Sequence, residues 1–113
     1  MTQNRNKLLD LFIGNLSNAV LHKILENAID SSEIANKYEK ELTTSFAIAM
    51  RYREKINPIL EPLPVGDQDY IKMKITKRVQ TELLLRIVKG YTHIDLLSLD
   101  DTVAAYLKEA RVL

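Results

Sequence analysis

Asn57-Pro-Ile-Leu-Glu-Pro-Leu-Pro-Val-Gly-Asp-Gln-Asp69 divides this sequence into two parts with different hydrophobic patterns. All three prolines of the chain fall inside this stretch, and proline favours extended, semi-rigid backbone. Before it, apolar residues recur every three or four positions, which is typical of helices. After it, apolar and polar residues alternate, which is typical of strands. The sequence therefore predicts a helical assembly domain (1–57), a proline-containing linker (58–69) and a small β-rich module (70–113).

Two amphipathic helices are predicted before the linker. The first covers about residues 6–29, and the second begins at a capping box of Asp30 and Glu33 and ends ahead of Pro58. Two antiparallel helices bury only one face each, so a second chain is expected to complete a bundle. The predicted assembly surface is centred on four apolar residues of the two helices: Leu16, Val20, Leu42 and Phe46.

Three short strands are predicted after the linker, at residues 71–76, 83–88 and 92–97, with a turn at Lys89-Gly90. A last helix is expected at about residues 101–111, where Asp and Ser residues supply an N-terminal cap. The predicted fold class is therefore α+β, with an N-terminal helical hairpin followed by a small β-rich module and a C-terminal helix.

The composition favours a folded, intracellular protein. The chain has 113 residues, 46% of them hydrophobic and 27% charged, and it contains no cysteine. Disulfides and thiolate metal sites are thereby excluded. No apolar run reaches the roughly 20 residues of a membrane span, and the N-terminus lacks the layout of a secretory signal. We therefore expect a cytoplasmic protein that binds neither a membrane nor a cofactor.

Charge is concentrated in one region of the chain. The net charge is only +1, so the whole chain does not predict binding to nucleic acid. Four basic residues are nevertheless close together after the linker: Lys72, Lys74, Lys77 and Arg78. On one face of a strand they would contact phosphates or an acidic protein. They would equally form the solvated side of a half-buried strand.

Arg86 and His93 are the one pair in the sequence with a spacing that suggests catalysis. HEPN-type ribonucleases use an Arg and a His at a separation of four to six residues, placed at the start of a helix. Here six residues separate the pair, but they lie in a predicted strand, turn and strand, and Ile87 stands where that family usually has a polar residue. Solvated side chains are the simpler interpretation. HEPN domains are all-helical, so the helix content of the protein discriminates between a HEPN fold and the predicted α+β fold.

The order of the parts resembles the GINS family of replication proteins. The second predicted helix closes with Arg51-Tyr-Arg-Glu-Lys-Ile56, which is similar to the basic ending of a GINS helical domain. Residues 71–113 are similar to the β-domain that follows the helical domain in one GINS subclass. The likeness covers roughly half of the chain.

The resemblance implies a non-enzymatic scaffold. GINS subunits assemble through their helical domains into a four-subunit particle, which bridges the MCM helicase and a RecJ-like protein. By this likeness, the partners would be other GINS subunits and those two proteins, with contact to DNA also possible, and the location would be the cytoplasm near the nucleoid. The alternatives are the HEPN-like ribonuclease or toxin–antitoxin component and a helical interaction protein of another kind.

Overall fold

The computed structural model describes residues 4–29, 31–58 and 61–113, and the described residues form an all-helical fold. None of them lies in a β-strand. The elements are α1 (Arg5–Ala28), α2 (Ser32–Ile56), α3 (Val65–Val88) and α4 (Leu99–Glu109), and a short 3-10 turn (Leu96–Ser98) precedes α4.

The predicted helical hairpin is confirmed, with α1 at the centre of the fold. Eleven of the 24 residues of α1 are buried, and helices α2, α3 and α4 all pack against it. The side chain of Asn4 accepts a hydrogen bond from the Asn6 amide at the start of α1. The Ser31 side chain caps α2 by accepting from the Ile34 amide. Asp30, the predicted cap, lies outside the described residues.

The predicted β-rich module, and with it the α+β fold class, is wrong. Residues 71–76 and 83–88 belong to one continuous helix, α3, and residues 92–97 form a loop that leads into the 3-10 turn. The buried residues of α3 are spaced four apart: Ile71, Ile75, Val79 and Leu83. A four-residue step fits both a helix and a strand, because four is also a multiple of two. Met73, which a strand would point to the same side as Ile71, is 58% exposed.

Lys89-Gly90 forms a turn, as predicted, but the turn ends a helix. The Gly90 amide donates to the Ile87 carbonyl and the Tyr91 amide to the Arg86 carbonyl, which is the pattern of a Schellman motif. Gly90 has a φ of 103°, a conformation that costs glycine little. The chain therefore turns away from α3 at this glycine.

Residues on both sides of the linker share one hydrophobic core. Buried side chains from all four helices belong to a single cluster. Leu63, inside the predicted linker, is also buried in it, and its amide donates to the Val112 carbonyl. Helix α3 runs parallel to α1, since Arg5 near the start of α1 forms an ion pair with Asp67 near the start of α3.

Arg53 is a fully buried cation that joins the ends of three segments. Its guanidinium donates to the carbonyl oxygens of Asn57 (3.4 Å), Glu61 (2.6 Å), Ala110 (3.0 Å) and Arg111 (2.6 Å). Burial lowers its pKa from the ordinary value. The structure places Arg53 inside, where it binds carbonyl oxygens of residues that follow the ends of α2 and α4.

Helix α1 is long and apolar enough, by length and composition, to cross a membrane. A central helix of a bundle needs the same composition, and 61% of its most apolar 18-residue window is buried inside this fold. The hydropathy of α1 therefore agrees with its central position.

Candidate functional site

The outward side of α3 carries large apolar side chains that are not covered by the described part of the chain. With 3.6 residues per turn, steps of three and four residues follow one face of a helix. On α3 such steps connect the residues that we call the outer stripe: Tyr70, Met73, Lys77, Thr81, Leu84 and Val88. All six are exposed, and Val88 is 86% exposed. Leu85, Ile87 and Tyr91 add further exposed apolar surface at the C-terminal end.

Helix α3 thus has one side that is buried in the core and an opposite side that carries exposed apolar residues towards its two ends. Exposed apolar patches on small proteins commonly mark interaction sites. The outer stripe is therefore the strongest candidate for a binding surface among the described residues.

The four predicted basic contact residues lie on α3, but they do not form a single surface. Lys74, Lys77 and Arg78 line the cleft between α1 and α3, together with Asp10. Lys72 lies in a separate shallow cleft next to α4, which Lys77 also borders. Contact of these cations with an acidic protein or with DNA stays a prediction. The contact would be made from the sides of helix α3 and not from a strand.

Gly14 lets the side chain of Arg78 approach the backbone of α1. A Cβ atom at position 14 would lie 3.1 Å from a terminal guanidinium nitrogen of Arg78. The guanidinium forms no hydrogen bond or ion pair with the described residues. Asn18, one turn after Gly14, and Glu82, one turn after Arg78, line the same cleft. The cleft is therefore polar and carries both signs of charge, which gives no clear preference for one ligand.

His22 lies at the far end of this cleft, where it connects α1 to α2. Its Nε2 atom is 3.1 Å from the Glu41 carboxylate, and its ring stacks on Tyr38 with centroids 5.7 Å apart. Desolvation lowers the pKa of His22; nearby Arg86 lowers it further, and Glu41 opposes the shift. The Nδ1 atom is buried without a hydrogen-bond partner. His22 therefore joins α1 to α2 through its contacts with Glu41 and Tyr38.

Arg86 and His93 do not form the arrangement of a HEPN site. The all-helical fold agrees with that alternative in general terms. However, Arg86 lies in the last turn of α3, where its guanidinium bonds the Glu82 carboxylate at 2.9 Å. His93 is exposed in the loop beyond α3, with a φ of 65°. Neither residue is at the start of a helix, where the HEPN pair would stand.

The four residues predicted for the assembly surface contribute to the interior of this chain. Leu16 and Val20 are fully buried in the core, so neither is available to a partner. Leu42 is partly buried, and Phe46 packs against the core with its ring edge-to-face to Tyr106 at 5.8 Å. The predicted amphipathic faces thus bind the other helices of the same chain.

The described residues contain no group of three or more His, Asp and Glu side chains that could hold a metal ion. The clefts on the described surface are open grooves between helices. No cofactor-binding arrangement is evident among the residues that line them.

The outer stripe is a candidate surface that the sequence did not predict. Its signal is present in the sequence, because Tyr70, Met73, Leu84 and Val88 follow helical steps. Interpreting residues 71–76 and 83–88 as strands assigned these residues to different elements. Comparisons with protein-family models, with curated proteins and with solved structures found no match to this chain.

Proposed function

We propose that this protein is a non-enzymatic interaction module that binds a helix of another protein molecule along the outer stripe of α3. The observation that carries the proposal is the exposure of Met73 (58%), Leu84 (44%) and Val88 (86%) on one side of a helix whose other side is fully buried. Helix-in-groove and helix-on-helix recognition both use apolar anchors at these steps.

The proposal keeps the general part of what the GINS resemblance implies, a scaffold without catalysis. It leaves out the replication partners. The likeness that named the MCM helicase and a RecJ-like protein depended largely on a β-domain at residues 71–113, and these residues are helix and loop here. The features of His22, Arg86 and His93 also support a role without catalysis.

Site-specific photo-crosslinking in the native host tests the proposal. A photoreactive residue at Met73 is expected to give a defined crosslinked product, because this side chain is 58% exposed on the outer stripe. The matched control is the same photoreactive residue at Lys37, which is also exposed but lies on the polar surface of α2. Equal crosslinking from both positions, or none from Met73, would contradict a binding surface on α3.

The non-enzymatic part has a separate test. The purified protein is expected to leave single-stranded and structured RNA intact. RNA cleavage that disappears in an Arg86→Ala variant would overturn this part of the proposal.

A further inference from the structure

We draw no further inference here: the strongest candidate, the exposed apolar surface of the outer stripe on α3, is the surface already proposed for binding, and nothing in the described part of the structure shows which molecule covers it.

Discussion

Helices α1 and α3 are both 24 residues long and run parallel, yet the fold uses them in opposite ways. Helix α1 buries eleven residues on several sides, whereas α3 buries only four along one line. The other helices of the same chain bury most of the apolar residues of α1. Helix α3 has further apolar residues that its neighbours leave exposed to solvent. The exposed apolar surface of this molecule therefore lies on the peripheral helix, although the central helix is the more apolar.

A leucine-to-alanine substitution in each of the two helices should give the largest difference in the free energy of unfolding. Leu16→Ala in α1 removes a fully buried side chain and is expected to lower the free energy of unfolding by about 2–5 kcal/mol. Leu84→Ala on the outer stripe should change it by no more than about 0.5 kcal/mol when the chain is dilute enough to be monomeric. Urea unfolding followed by circular dichroism measures both values. Similar losses in the two variants would contradict the different environments of these leucines.

A second pair of leucines sharpens the description of α3 itself. Leu83 is fully buried and Leu85 is 50% exposed, although a strand would point both to the same side. Leu83→Ala is therefore expected to cost about 2–4 kcal/mol and Leu85→Ala much less than 1 kcal/mol, again by urea unfolding of the dilute chain. Equal costs at the two positions would restore the strand interpretation of residues 83–88.

The smallest expected effect is the pH dependence of the free energy of unfolding that arises from His22, at the end of the cleft between α1 and α3. Desolvation holds the pKa of His22 in the folded chain below its ordinary value of 6.5. The unfolded chain therefore binds the proton more readily, so the free energy of unfolding should fall as the pH drops below 6.5 and towards the folded pKa. Above pH 6.5 this contribution is constant.

Denaturant titrations on both sides of pH 6.5 measure this dependence. His22→Gln should flatten the pH profile of stability, because it removes the titrating group. The matched control is Thr44→Gln, which changes an exposed residue of α2 that does not titrate and should leave the slope as in the wild type. A profile that is unchanged by His22→Gln would exclude His22 as its source.

Much of the helical hairpin and of α4 could be predicted from the sequence, and α3 could not, for a physical reason. In α1 the apolar residues follow mixed steps of three and four, as at Leu9, Phe12, Ile13 and Leu16, and only a helix gathers such steps on one side. In α3 the buried residues follow steps of four alone, which a strand also accommodates. Exposed Met73 then completed an apparent alternation with Ile71 and Ile75.

The candidate site was less predictable than the fold, because it depends on what remains uncovered after folding. Nothing in the local sequence distinguishes Leu83, which is buried, from Leu84, which is exposed. Leu16 and Val20 look like an assembly surface until α3 and α4 are known to share their core. Arg53 was equally unpredictable, since its four acceptors come from residues 57, 61, 110 and 111.

Arg53 also makes the end of α2 depend on the segment that follows α4. Two of its four acceptor carbonyls belong to residues 57 and 58 positions later in the chain. A guanidinium sealed in an apolar interior without those acceptors would be strongly unfavourable. Loss of residues 110 and 111 is therefore expected to open the end of α2 to water, far from the deletion in sequence.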